Sequence, residues 1–153
     1  MTESEKIQEI SDLLEIQSLL TSYCTSIDSK QYDGLDSVFI SDAFIDYTSA
    51  GGIKGHFPEV KAWLEEVLGL FSMTQHAVTN FDIRVDGDKA TSRCIFYNPM
   101  GLNTPEGKMP MFFVGGYYND ELVRTADGWR ITERIEDSSW NYGDFPVDTK
   151  IPE

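Results

Sequence analysis

The chain has 153 residues, of which 41% are apolar and 12% aromatic, with a formal net charge of −14 and a sequence pI near 4.4. This length suffices for one domain with a hydrophobic core, so we predict a single domain over residues 1–140 and an irregular C-terminal tail over residues 141–153. The acidic balance excludes nucleic acid and anionic membrane surfaces as expected partners, because both require a basic patch and the 12 Lys and Arg residues are scattered.

The N-terminal half predicts two helices separated by a short strand. Residues 2–5 have the form of a capping box, and apolar residues then recur at spacings of three and four, which predicts an amphipathic helix of about 24 residues. A short helical turn leads into a strand at residues 44–47 and a glycine-rich loop at residues 49–55. Pro58 stands at a plausible first position of a second helix of about 12 residues.

From His76 onward the apolar period changes from helical to two. Four strands are predicted, at residues 78–85, 90–97, 111–124 and 129–136. Asp86-Gly87 and Asp127-Gly128 are hairpin turns, whereas the longer join at residues 99–110 is typical of a lid or a subunit contact. This order predicts an α+β domain in which helices cover a curved antiparallel or mixed sheet, forming a cone whose interior can hold a small molecule.

No segment resembles a signal peptide or a membrane span. The first six residues are polar and acidic, and no apolar run approaches the roughly 18 to 20 residues that a spanning helix needs. We therefore expect a soluble, cytoplasmic protein. Cys24 and Cys94 are far apart and belong to no CxxC or Cys/His cluster, so both are expected to be reduced core residues.

Asp28 is the most unusual residue of the long helix. Steps of four from Leu20 through Cys24 place its carboxylate on the apolar stripe. Burial and the helix C-terminus both oppose ionisation, so a protonatable partner such as His76 would offset the cost. An Asp–His pair orients the imidazole and stabilises its charged form. From the pattern alone, Asp28 as a solvated cap and His76 as a structural residue remain open alternatives.

Tyr23 and Arg134 are two further candidates. Tyr23 lies near enough to Asp28 on the last helical turns to edge a pocket and donate to a substrate oxygen, although a core tyrosine is the alternative. Strict alternation puts Arg134 on one strand face with Arg130, Thr132 and Glu136, a face that could equally be a solvent-exposed ladder. Nucleotide-binding, serine-hydrolase and metal-site motifs are absent, so we expect acid–base chemistry without cofactor or metal.

Several segments together resemble a known family. They are the helix ending in Tyr-x4-Asp, FISDAFIDY, the glycine loop, TQHAVTN, VDGDKATSR and GGYYNDELVRTADGWRITER. Over residues 7–140 the chain is similar to the SnoaL-like branch of the nuclear-transport-factor-2-like (NTF2-like, cystatin-like cone) superfamily. That branch includes scytalone dehydratase, bile acid 7α-dehydratase and hexachlorocyclohexane dehydrochlorinase, which are cofactor-free lyases.

The resemblance implies roles for the four candidates. His76 would be the general base and Asp28 its orienting partner, Tyr23 would favour an oxygen leaving group, and Arg134 would lie in the pocket. The resemblance implies a cofactor-independent, dehydratase-like lyase acting on a hydrophobic polycyclic or aromatic molecule that carries hydroxyl or keto groups. An isomerase or polyketide cyclase using the same base, and a non-catalytic ligand-binding or assembly subunit, are the alternatives.

The same resemblance implies a homo-oligomer, either a trimer or a dimer. Its subunit contacts would use the outer face of the sheet, for which Tyr97, Phe112 and Tyr118 supply aromatic surface.

Overall fold

A computed structural model describes residues 1–144 of the chain. Helix α1 (Glu3–Asp28) begins with the predicted capping box, in which the Thr2 hydroxyl accepts from the Glu5 amide and the Glu5 carboxylate accepts from the Thr2 amide. The second half of α1 buries an apolar stripe. Its first half does not, because no described element covers the apolar side chains there, which are those of Ile7, Ile10 and Leu14.

Seven strands and a second helix follow α1. The strands are β1 (Phe39–Asp46), β2 (Lys54–His56), β3 (Met73–Thr74), β4 (Ala77–Asp86), β5 (Lys89–Gly101), β6 (Met111–Thr125) and β7 (Gly128–Tyr142), and helix α2 (Phe57–Gly69) lies between β2 and β3. They form one mixed sheet in the order β2-β1-β7-β6-β5-β3, with β4 also paired to β5. Only β1 and β7 run parallel within this described sheet. The predicted α+β cone is confirmed.

Strands β5 and β7 extend further at their C-terminal ends than the sequence predicts, and β1 begins at Phe39 rather than at residue 44. Strand β5 continues to Gly101 because its end pairs with both β3 and β6, so the connecting loop is shortened to residues 102–110. Strand β7 continues to Tyr142 because its end pairs with β6, although its polar composition predicts irregular structure there. Asn141 is therefore a strand residue rather than the start of an irregular tail. Residues 145–153 of the predicted tail lie outside the described part of the chain.

A β-bulge in β7 reverses which residues face the interior. Trp129 and Ile131 are buried at the start of the strand, whereas Arg134 and Glu136 are buried further along. The pairing passes from Leu122–Ile131 to Glu121–Glu133, so that Thr132 is the extra residue. The predicted common face for Arg134, Arg130 and Thr132 is therefore wrong, because the alternation restarts after the bulge.

The outer face of the sheet carries a different aromatic set from the one predicted. Tyr118 is buried inside the cone, and Phe112 lines its cavity. Only Tyr97 of the three predicted residues is exposed, and its ring contacts those of Phe113 and Trp140. The expectation that Phe112 and Tyr118 supply outer contact surface is wrong.

The two cysteines are free and buried, as predicted. Burial raises the pKa of Cys24 to about 12 and that of Cys94 to about 11. Both thiols are consequently neutral and unreactive at physiological pH.

Gly116 of β6 lies directly against the backbone of β7. A Cβ atom there would meet the carbonyl oxygen of Asp137 and the backbone of Ser138. We expect Gly116→Ala to lower the free energy of unfolding by about 1–3 kcal/mol, because backbone cannot give way as a side-chain end can. Gly69 is the matched control, since a Cβ atom there would meet nothing within 4 Å, and Gly69→Ala should not destabilise. Urea unfolding of both variants tests this; a fully stable Gly116→Ala protein would contradict it.

Candidate functional site

The Asp28 carboxylate makes three hydrogen bonds that hold the site together. It ends α1, and its Oδ2 atom accepts a hydrogen bond from the backbone N–H of His76 at 2.7 Å. Its Oδ1 atom is 2.7 Å from His76 Nδ1 and accepts from the Thr74 hydroxyl at 3.0 Å. Asp28 therefore holds both the backbone and the ring of His76, and the predicted proximity of these residues is present in the structure.

The imidazole of His76 is fixed in one orientation by this contact. A carboxylate oxygen can only accept, so Nδ1 carries the proton and Nε2 retains its lone pair in neutral His76. The side chain is 4% exposed and lines the main cavity. An oriented imidazole of this kind can accept a proton from a molecule inside the cavity. His56, by contrast, is exposed and contacts the Asp42 carbonyl outside the cavity.

Three tyrosines form the inner wall beside His76. The Tyr23 ring meets that of His76 edge-on, with centroids 6.1 Å apart, and meets the Tyr118 ring in the same way at 5.8 Å. The hydroxyls of Tyr23 and Tyr47 are 2.9 Å apart. Burial raises the pKa of Tyr23 to about 12 and that of Tyr47 well above its ordinary value, so both are neutral and can donate.

Arg134 lies behind this wall rather than on it. Its side chain is fully buried, and its guanidinium makes two hydrogen bonds to the Asp120 carboxylate, of 2.7 and 2.8 Å. The guanidinium carbon is 4.3 Å from the Tyr23 ring centroid and 4.2 Å from that of Tyr118. Arg134 thus supports Tyr23 and Tyr118 from behind. Its Nη1 atom has no hydrogen-bond partner among the residues described.

The cavity itself is apolar with a few polar atoms in its wall. It contains about 650 Å³ of space not filled by protein atoms, a figure that includes solvent at its open mouth. Helix α2 supplies one wall, including Trp63 and Leu64, strands β5 and β6 supply another, and residues 47–52 after β1 contribute as well. Three buried polar atoms of lining residues have no hydrogen-bond partner within residues 1–144; they are Trp63 Nε1, Asn98 Oδ1 and Glu136 Oε1.

Sequence reasoning missed several of these lining residues. Tyr47 ends a predicted strand, but nothing in the pattern indicates that its hydroxyl reaches Tyr23. Alternation puts Glu136 on a polar face because the bulge at Thr132 has no signature in the sequence. Asn98 and Trp63 are unremarkable in the pattern, and only the packing of α2 on the sheet brings them to one cavity.

Two kinds of feature are absent from the described structure. Within residues 1–144 no group of three or more His, Cys, Asp or Glu side chains is arranged to hold a metal ion. Over the same range no helix is long and apolar enough to cross a membrane.

The fold and cavity define an α+β cone with a largely apolar interior cavity that opens to solvent. A family model for the SnoaL-like domain matches residues 8–135, so the chain belongs to the SnoaL-like domain family. Rv2910c of Mycobacterium tuberculosis, an uncharacterized protein, is 49% identical over 130 residues, which are 85% of this chain and 87% of that protein.

Two solved structures illustrate the shared fold. A protein of Novosphingobium aromaticivorans provisionally named scytalone dehydratase superposes with a TM-score of 0.80 at 17% identity, covering 95% of this chain and 99% of its own. A type 2 hexachlorocyclohexane dehydrochlorinase gives a TM-score of 0.76 at 21% identity, with coverages of 96% and 98%. At these identities the likeness establishes the NTF2-like fold.

Proposed function

We propose that this protein is a cofactor-independent lyase of the dehydratase type. His76 removes a proton from carbon, Asp28 orients the imidazole, and a neighbouring oxygen leaves as water. The observation that carries the proposal is the triple hydrogen bonding of Asp28, which leaves His76 Nε2 for a molecule in the cavity. The names of two proteins with this fold, a dehydratase and a dehydrochlorinase, are in keeping with an elimination.

The proposed substrate is a hydrophobic polycyclic or aromatic molecule bearing hydroxyl or keto groups. The cavity walls are mainly aromatic and aliphatic, which favours a ring system over a flexible polar chain. A carbonyl next to the reacting carbon would acidify its proton enough for an imidazole to remove it. The paired hydroxyls of Tyr23 and Tyr47 can donate to an oxygen of such a molecule.

Arg134 has an indirect part in this proposal. Because its guanidinium is bound to Asp120 and stacked against the rings of Tyr23 and Tyr118, it positions the tyrosine wall rather than the substrate. This differs from the pocket role that the family resemblance implies.

The first test is the loss of proton abstraction on removal of His76. His76→Ala should slow turnover by at least 10²- to 10⁴-fold, the usual contribution of one positioned base. His56→Ala is the matched control, because His56 is the other histidine and lies outside the cavity. The assay is a screen of hydroxylated and ketonic bicyclic compounds by mass spectrometry. Wild-type turnover in the His76→Ala protein would end the proposal.

The same assay separates the rival functions. A dehydratase product is lighter than its substrate by one water molecule, whereas an isomerase or a cyclase working without loss of water leaves the mass unchanged. Binding of compounds without any chemical change would favour a ligand-binding or assembly subunit. The expected dimer or trimer and the expected cytoplasmic location stay predictions.

A further inference from the structure

Glu136 is a buried acid that has no role in the mechanism proposed above. It is 9% exposed and lines the same cavity as His76. Its Oε1 atom has no hydrogen-bond partner among the described residues. Arg134, two positions earlier on the same inward face, is committed to Asp120. Within residues 1–144 Glu136 thus has no ion-pair partner. Burying an ionised carboxylate without such a partner is energetically unfavourable.

The topology puts Glu136 and His76 on different sides of the cavity. His76 directly precedes β4, whose first residue Ala77 pairs with Tyr97 of β5. Glu136 lies on β7 and pairs with Tyr118 of β6. The order β4–β5–β6–β7 spans three strand spacings, about 14 Å along the sheet. The curled sheet lets both residues line one cavity, so a molecule between them meets His76 on one side and Glu136 on the other.

The charged and titratable surroundings of Glu136 favour its neutral form. Burial raises the pKa of Glu136 to about 8, Arg134 opposes this rise, and Asp46 on β1 adds to it. Three phenols, all neutral at pH 7, interact with it from the packed elements, namely Tyr23 of α1, Tyr47 after β1 and Tyr118 of β6, and His76 faces the same cavity. A carboxyl group in such a site carries its proton at neutral pH and loses it as the pH rises through about 8.

We propose that Glu136 is the proton-donating residue of the cavity, a neutral carboxylic acid that donates to an oxygen atom of the bound molecule on the side opposite His76. The ligand class that fits is a ring compound with a hydroxyl or carbonyl oxygen at the β7 wall. The Oε1 atom of Glu136 makes no hydrogen bond to any described residue.

In the elimination, which rests on the proposed function, the two residues act in opposite senses. His76 Nε2 takes the proton from carbon, and the C–H electron pair becomes the new carbon–carbon double bond. The adjacent C–O bond breaks, and its oxygen takes the Glu136 proton to leave as water. Glu136 ends as a carboxylate and His76 as an imidazolium, so charge is conserved, and proton return through solvent resets both.

The test compares two bicyclic probes of the same shape, tetralone and tetralin, which differ by one carbonyl oxygen. The wild-type protein should bind tetralone roughly three- to tenfold more tightly than tetralin at pH 6.5, the usual worth of one hydrogen bond, and lose that preference above about pH 9. Glu136→Gln keeps a donor and should retain the preference without the pH dependence. Glu136→Leu should bind the two probes with equal affinity and so show no preference for the ketone.

The outcomes separate this inference from the proposed function. If both probes bind equally well to the wild-type protein, or if Glu136→Leu keeps the preference, Glu136 is not the donor, whereas the His76 proposal is unaffected. If neither probe binds at pH 6.5, the cavity does not accept such ring compounds, and both proposals fall.

A second measurement uses stability and needs no ligand. The pKa of Glu136 is higher in the folded protein than its ordinary value of 4.5, so the folded state binds more protons than the unfolded state between about pH 4.5 and 8. The wild-type melting temperature should therefore fall relative to that of Glu136→Gln as the pH rises through this window. If the melting temperatures of the wild-type and Glu136→Gln proteins change with pH in the same way from pH 5 to 9, the inference is wrong.

Discussion

The Asp28→Asn protein is expected to keep its fold and its ligand binding while its turnover falls by about 10²- to 10⁴-fold. The carboxylate accepts from the His76 amide, the Thr74 hydroxyl and His76 Nδ1, and an asparagine side chain has one oxygen for these three donors. If the Asn NH2 group faces Nδ1, it donates to the ring. The imidazole proton then moves to Nε2, and Nε2 can no longer act as the base. If the NH2 group instead faces the backbone N–H of His76, two hydrogen-bond donors point at each other, which is unfavourable.

Steady-state kinetics on the substrate found by the screen would check this result. Turnover should fall and KM should change little, because Asp28 acts through His76. Thr74→Val is the matched control, since it removes one hydrogen bond from a hydroxyl to the same carboxylate without touching the imidazole, and it should lower turnover less than about tenfold. An Asp28→Asn protein within threefold of wild type would mean that the orientation of His76 does not depend on Asp28.

The second large effect concerns the buried ion pair behind the tyrosine wall. Asp120→Ala should lower the free energy of unfolding by about 3–5 kcal/mol, because Arg134 would be left buried and uncompensated. Both side chains are fully buried, so water cannot replace the lost partner. Replacing both with apolar residues of similar volume, as in Asp120→Leu with Arg134→Met, should recover most of the loss.

Denaturant unfolding of the single and double variants measures this effect. The ion pair of Arg84 and Asp82 offers the control, because both side chains are largely exposed and Asp82→Ala should cost only a small part of the Asp120→Ala loss. A double variant as unstable as Asp120→Ala would show that packing around the tyrosines, rather than an unpaired charge, is responsible.

The inward position of Asp28 is a feature that the local sequence pattern predicts correctly. The i to i+4 step from Cys24 predicts that its carboxylate points inward, and the structure has it hydrogen-bonded to His76. The long helix, the second helix and the two hairpins were predictable for the same reason, because each rests on residues close together in sequence. The capping box at Thr2 is present as well.

The inward side of β7 was not predictable from alternation. Whether Arg134 and Glu136 face the interior depends on one extra residue, Thr132, which bulges because β6 pairs across it. Nothing local in the segment distinguishes a bulged from a regular strand. The donor role proposed for Glu136 and the supporting position of Arg134 both follow from this tertiary feature, so sequence periodicity gives them the wrong neighbours.

The local sequence pattern also could not predict how much of the apolar face of α1 stays exposed. Ile7, Ile10 and Leu14 satisfy the helical period as well as the buried residues after them do. Periodicity identifies the face of a helix but not how far along the sheet that face finds a partner. The same limit applies to Tyr118, whose inward direction is set by its pairing with Cys94 and Glu136.

The elements that hold His76 differ from those that surround the ligand space. Asp28, Thr74 and His76 come from the end of α1 and the β3–β4 edge, whereas α2 and the middle strands provide most of the enclosing surface. Substitutions on α2 can therefore alter which molecules enter without disturbing the orientation of the imidazole. Under the proposed function, this division would let mutation or design change which ligands bind while the imidazole stays in place.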